Sequence, residues 1–260
     1  MTFSPKLVAL DIDGTLVDPT GWMPDEVHRA VRRIVDAGVP AVLATGRSWV
    51  ATKPVFEHLD LPPGWAVSSN GAVVVTNPPF ELQHEVLFDP AESIEKVSRL
   101  VPRARLAVER GLERFASAPF PDGELQGEVK IVSLEELAAK PVSRLIIREP
   151  ETEDERVFDP LIDELGLHEV SYFVGWSAWL DIAPKGVDKA AGLQRVVDEL
   201  GLTSADVLAL GDGRNDIEML EWAGRGVAMG DAPEEVKAVA DHVTGDFADL
   251  GTVEELGRWF

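Results

Sequence analysis

A chain of 260 residues, 45% of them hydrophobic, has enough material for one large domain or two small ones. Its 46 Asp and Glu outnumber 24 Lys and Arg, and the net charge of -22 repels phosphate backbones at long range, which excludes a general nucleic-acid binder. With no cysteine there are no disulfides and no thiolate metal sites. A small anionic substrate stays compatible with this balance, because a bound cation and one lysine can reverse the sign locally. No apolar run approaches the about 20 residues of a membrane helix. The opening "MTFSPKLVAL" lacks the basic-then-apolar pattern of a secretory signal, so a cytoplasmic location is expected.

The first third alternates strand and helix. "KLVAL" (6–10) is a short apolar run. "DEVHRAVRRIVDAG" (25–38) carries Val27, Ala30, Val31, Ile34 and Val35 at helical spacing, with Gly38 as a stop. "PAVLA" (40–44), "WAVSS" (65–69) and "AVVV" (72–75) follow as strands. The last third resumes the alternation with "VDKAAGLQRVVDELG" (187–201), "DVLALG" (206–211), "NDIEMLEWAG" (215–224), "GVAM" (226–229) and "PEEVKAVA" (233–240). Strands that are almost wholly apolar and alternate with helices predict an α/β fold, a doubly wound and mostly parallel sheet covered on both faces. The middle differs: "ARLAVER", "SRLIIRE", "EVSYFVG" and "AWLDIA" read as strands, while 90–101 and 153–166 read as helices. This predicts an inserted α+β domain at 82–182, with 1–81 and 183–260 forming the core.

Four stretches carry chemistry. Asp11 and Asp13 follow the first strand, at the carboxyl end of the sheet where open α/β proteins bind ligands. An Asp there can attack phosphorus, and a second Asp can protonate the leaving oxygen; the plain alternative is a strand ending in an Asp-Gly turn. A calcium loop from Asp11 fails, because Leu16 occupies the glycine position and Trp22 the glutamate position. In "LATGR" (43–47), Thr45 and the backbone at Gly46 can hold phosphate oxygens, or simply cap the next helix. In "APKGVDKAAGL" (183–193), Lys185 precedes a helix and can act as a point charge on phosphate, with Lys189 ranked second. In "LGDGRNDIEML" (210–220), Asp212 ends a strand and Asp216 opens a helix; with Asp11 and a backbone carbonyl, Asp212 can supply oxygen ligands for Mg²⁺. "GRGVAMG" (224–230) is no dinucleotide fingerprint, since its third glycine falls one residue late.

With "DIDGT", "ATGR", "SSNGA", "PKGVDK" and "GDGRNDIEML…GVAMGDAPEEVK" in this order, the sequence resembles the haloacid dehalogenase superfamily of phosphatases, in its Cof-type branch. The resemblance covers 6–77 and 181–244, and the insert between Ala72 and Lys185 suits the branch's α+β cap. It implies a Mg²⁺-dependent phosphomonoester hydrolase acting on a small phosphorylated metabolite such as a sugar phosphate, with no nucleic-acid or membrane partner. Asp11 would be nucleophile and metal ligand, and Asp13 general acid/base with its backbone carbonyl on the metal. Thr45 and Lys185 would hold the phosphoryl group, Asp212 would ligate the metal with Asp216 supporting it, and Asn215 would orient nearby groups. Gly46, Asn70 and Gly71 would touch substrate. Asp231 departs from the branch, where Asn is more usual. A phosphotransferase or phosphomutase on the same scaffold, and a non-catalytic phosphometabolite sensor, are the alternatives. Arg110, Arg114, His168, Trp176 and Trp179 are candidates for a substrate-facing surface of the insert, though such residues are more often structural or solvated.

Overall fold

The computed structural model describes residues 3–121, 124–125, 127–152, 154–158, 170–174 and 178–260. The chain divides into two compact units, 1–84 with 188–260 and, between them in sequence, 85–187.

The first unit begins with β1 (Leu7–Leu10), every residue of it buried. The helix α1 (Asp25–Asp36) buries Val27, Ala30, Val31 and Ile34, one stripe of a 3.6-residue period, with Asp25 and Glu26 at its positive end. The strands β2 (Ala41–Ala44) and β3 (Gly64–Ser68) flank α2 (Trp49–His58), which starts where the Ser48 side chain accepts the Ala51 N–H. β4 (Val73–Asn77) turns back antiparallel to β3, and β5 (Glu81–Glu85) forms the sheet edge. The sequence pattern does not announce β5, because an exposed edge strand such as "ELQHE" needs no apolar alternation. It carries the sheet past the expected crossing at residue 82.

In the second unit, β6 (Arg105–Arg110), β7 (Glu113–Ala116), β8 (Lys130–Ile131), β9 (Arg144–Arg148), β10 (Val170–Val174) and β11 (Trp179–Pro184) make a six-stranded sheet in the order β10-β11-β9-β6-β7-β8. It is antiparallel except between β7 and β8. One face buries Leu106, Val108, Leu145, Ile147, Leu180 and Ile182 in a core shared with Ile94 and Val97 of the helix Ala91–Leu100. The alternating residues Glu109, Arg114, Arg144 and Asp181 are also buried, on the other face. Most of the helix expected at 153–166 lies outside the described residues.

The chain re-enters the first unit through the helix Lys189–Glu199 and closes the sheet with β12 (Val207–Gly211), β13 (Arg225–Ala228) and β14 (His242–Val243). The eight strands lie in the order β14-β13-β12-β1-β2-β3-β4-β5, parallel from β14 through β3. From β1 the chain winds one way through β2 and β3 and later the other way through β12 to β14. The crevice between β1 and β12 is therefore the topological switch point, where open α/β sheets bind ligands. Leu10 pairs with Leu210 there, so Asp11 and Asp212 leave the sheet side by side.

The helix Lys189–Glu199 is seated by close backbone contact. Gly71 has φ +97°, and a Cβ on it would lie 1.9 Å from the Asp188 carbonyl oxygen. Gly38, also left-handed at φ +76°, faces open space. In urea unfolding, Gly38→Ala should lose about 1 kcal/mol for its backbone conformation alone, and Gly71→Ala at least about 2 kcal/mol more for the displaced helix. Equal losses would show that this contact does not seat the helix.

Candidate active site

Each strand of the switch point ends by releasing a polar group into the same crevice. Asp11 follows β1, Thr45 follows β2, and Asp212 follows β12. All three are buried, Asp11 at 4% exposure. The helix Lys189–Glu199 is capped by the Asp188 side chain, which accepts the Ala191 N–H at 2.7 Å, so Lys189 is its first residue. From there, with no exposure at all, Lys189 Nζ donates to Asp11 Oδ1 at 2.5 Å and to Asp216 Oδ1 at 2.6 Å. The other oxygen of Asp216 accepts the backbone N–H groups of Asp212 and Gly213 at 3.0 and 2.9 Å, which fixes the loop carrying Asp212.

This corrects the assignment of the site cation. Lys185 is exposed, on the turn after β11, and Lys189 is the lysine on Asp11. The reason is helix phase. Residues before the Asp188 cap lie in a turn, and the residue after it faces the sheet.

Asp11, Asp212 and Asp216 bring carboxylate oxygens within 4.8 Å of one another. Against one lysine, that is an excess of buried negative charge. Burial, followed by repulsion from Asp216 and Asp13, outweighs Lys189 and pushes Asp11 up to about 7. Burial, Asp11 and Asp216 push Asp212 up to about 9. Lys189 is held above its ordinary range, its burial outweighed by Asp11 and Asp216. Among the described residues, Oδ2 of Asp11 and Oδ2 of Asp212 accept no protein donor; Asp212 Oδ1 takes only a 3.4 Å hydrogen bond from Thr15. Two under-satisfied, buried, like-charged carboxylates of purely oxygen character fit a hard divalent cation such as Mg²⁺. Gly14 makes room for them, since a Cβ there would lie 2.3 Å from Asp212 Oδ2.

Around this centre, Thr45 Oγ1 accepts the Arg47 N–H at 3.1 Å, leaving its hydroxyl proton free to donate. Asn70 is buried and left-handed at φ 51°; its N–H donates to the Thr45 carbonyl at 3.0 Å, and its Oδ1 accepts from Asn215 Nδ2 at 2.9 Å. Gly46 lies beneath that pair, with room for a Cβ only 3.0 Å from Asn70 Oδ1. Gly71 serves the helix contact described above. Asp13 takes the Arg47 guanidinium on both of its carboxylate oxygens. Arg47 is the site residue the sequence reading passed over. A cation directly beside a phosphate-type loop in so acidic a chain was the available signal. Asp231 accepts the Phe247 N–H at 3.4 Å and adds slightly to the repulsion on Asp212.

The insert's candidates have internal roles. Arg110 donates to the carbonyls of Glu136 and Leu137. Arg114 lies 3.7 Å from Glu109, and Trp179 donates to Asp181 at 2.9 Å. His168 and Trp176 lie outside the described residues.

A family model described as haloacid dehalogenase-like hydrolase matches residues 8–256. The chain is 27% identical to the 5-amino-6-(5-phospho-D-ribitylamino)uracil phosphatase YcsE of Bacillus subtilis, over 98% of this chain and 95% of that one. It is 28% identical to the phosphatase YwpJ of the same organism, over 92% and 94%. A crystal structure of a haloacid dehalogenase-like hydrolase from Bacteroides thetaiotaomicron superposes with a TM-score of 0.81 at 26% identity, over 99% of this chain and all of that one. Among the described residues, no helix is long and apolar enough to cross a membrane.

Two outcomes follow from the charge balance. Replacing Lys189 by Met leaves Asp11 and Asp216 buried without their cation and should cost about 3–5 kcal/mol near pH 8 in urea unfolding. The exposed Lys185→Met should stay within about 0.5 kcal/mol of the parent. Similar effects of the two would contradict the placement of Lys189.

The second concerns protons. The raised values of Asp11 and Asp212 mean that the fold retains protons which the unfolded chain releases above its ordinary value of 3.8. Stability of the cation-free protein therefore falls as pH rises from about 4, through about 7 for Asp11 and about 9 for Asp212. A divalent cation bound among these carboxylates would take the place of those protons, so Mg²⁺ should raise the unfolding temperature far more at pH 8 than at pH 5.5. An equal rise at both would place the ion elsewhere.

Proposed function

This chain belongs to the haloacid dehalogenase-like hydrolase family, as a phosphatase of its Cof-type branch, and we propose that it hydrolyses the phosphate monoester of a small metabolite, a sugar phosphate, through a phosphorylated Asp11 and with Mg²⁺ in the acidic cluster. The observation that carries this reading is the buried set Asp11, Lys189 and Asp216 beside Asp212, at the β1/β12 switch point.

Asp11, whose Oδ1 accepts from Lys189, is the nucleophile. Attack forms an Asp11–phosphorus bond while the ester P–O bond breaks. The ester oxygen keeps the electron pair and takes a proton from Asp13. A water then attacks phosphorus, the Asp11–phosphorus bond breaks with its pair returning to Asp11, and Asp13 takes the water's proton. Thr45, with its hydroxyl proton free, and Lys189 would donate to phosphoryl oxygens, and the Asn70–Asn215 pair belongs to the same loop cluster. Asp11, Asp212 and the Asp13 carbonyl would hold Mg²⁺, which would supply the positive charge that lets a phosphate dianion approach an aspartate. The remainder is in-line positioning.

The sugar-phosphate class draws support from YcsE, whose named substrate carries its phosphate on a ribityl chain. Retention of both Asp11 and Asp13 favours an enzyme over a sensor, which has no need of a nucleophile or an acid.

Phosphate release should be measured on p-nitrophenyl phosphate and a sugar-phosphate panel, with Mg²⁺ or EDTA. The expected result is Mg²⁺-dependent release that falls at least about 10³-fold in Asp11→Asn, which keeps the shape and loses the nucleophile. Release that persists in that variant would remove Asp11 from the chemistry. Phosphate that appears on an added alcohol instead of in solution would identify a phosphotransferase.

A further inference from the structure

Asp11 and Asp13 leave one loop in opposite settings. Asp11 is shut in and pinned by Lys189, whereas the Asp13 side chain is 57% exposed. A carboxylate so exposed samples several rotamers, yet a proton donor works only from within hydrogen-bond reach of the oxygen it serves.

Among the described residues, one side chain restrains the Asp13 carboxylate. Arg47 Nε donates to Asp13 Oδ2 at 2.9 Å and Nη2 donates to Oδ1 at 2.5 Å, a two-pronged contact that fixes both the position and the rotation of the carboxylate. Arg47 is itself held. Its N–H donates to Thr45 Oγ1 at 3.1 Å, its carbonyl accepts the Ser69 N–H at 2.8 Å, and the next residue, Ser48, caps α2. Its side chain is only 17% exposed, and Asp13 and Asp11 keep it charged against its burial. The guanidinium fork thus grips the exposed carboxylate, while the Arg47 backbone is built into the loop after β2.

We infer that Arg47 is the positioning residue for Asp13, holding the acid/base where it meets the leaving oxygen. The inference rests on the reaction proposed above and assigns Arg47 no proton of its own. The P–O bond still breaks with its pair on the ester oxygen, and the proton still comes from Asp13.

The test uses leaving groups. p-Nitrophenolate departs with little help from an acid, whereas the alkoxide of a sugar phosphate needs its proton. kcat and KM are measured on p-nitrophenyl phosphate and on ribose 5-phosphate, or on whichever sugar phosphate is turned over fastest, for the parent, Arg47→Ala, Arg47→Lys, Asp13→Asn and the Arg47→Ala/Asp13→Asn pair. Since an acid contributes about 10²–10⁴-fold, and water attack on phospho-Asp11 is common to both esters, Arg47→Ala should lose about 30–100-fold in kcat/KM on the sugar phosphate, at least tenfold more than on the aryl ester. KM should change less than about threefold. Lys, a point charge without the fork, should recover only a minor part. The double variant should be no worse than Asp13→Asn, because positioning has no value once the acid is gone.

Equal losses in kcat/KM on both esters would overturn the inference, as would a further tenfold loss in the double variant. A KM rise with kcat retained would also overturn it, making Arg47 a substrate-binding cation. Circular dichroism checks folding; should Arg47→Ala unfold, Arg47→Lys carries the same comparison, with the same asymmetry expected. A parent inert on every ester would instead sink the proposed reaction, and this inference with it, which is a different result from an active parent without asymmetry.

Discussion

Lys189 Nζ lies between Asp11 and Asp216 at 2.5 and 2.6 Å, and none of the three has appreciable access to water. A buried charge deprived of its partner costs several kcal/mol, so each of these groups is tolerable only while the other two are in place. That condition ties together segments far apart in sequence: the end of β1, the first residue of the helix Lys189–Glu199, and the turn after β12. The Gly71–Asp188 contact sets the helix height, and the Leu10–Leu210 pairing sets the strand register. An error in either would separate the lysine from its carboxylates.

The two units handle buried charge differently. On the second unit's sheet, Glu109 and Asp181 face Arg114 and Arg144, a balanced set in which Arg144 donates to Asp181 at 2.6 Å. At the switch point, three carboxylates face one lysine, and among the described residues two of their oxygens accept no protein donor. A balanced network neutralises its own charge and needs no added ion. An unbalanced one stores repulsion that a cation relieves, and here the imbalance coincides with the crevice the topology opens for a ligand.

Much of this was readable along the chain. Apolar runs of four or five residues, each ending in Asp or Thr, already imply strands that deliver polar groups to one end of a sheet, and β1, β2 and β12 do so. The helical stripe of α1 was equally plain. The edge strand β5 and the two-residue β14 were not, because a short or exposed strand carries no apolar signal of its own. Lys185 and Lys189 are nearly equivalent in one dimension, four residues apart beside the same helix start. The Asp188 cap decides between them, and its consequence for side-chain direction appears only once the helix is docked. Arg47 was hidden for a related reason, since its partner Asp13 is 34 residues away.

The sequence by itself determined the α/β class and put acids directly after apolar runs, because local apolar periodicity and the residues that end each run are read along the chain. Only the tertiary structure decided which lysine neutralises Asp11, which oxygens stay open for a cation, and what holds Asp13. Those depend on helix phase, strand register and contacts between distant segments, which a linear pattern does not specify.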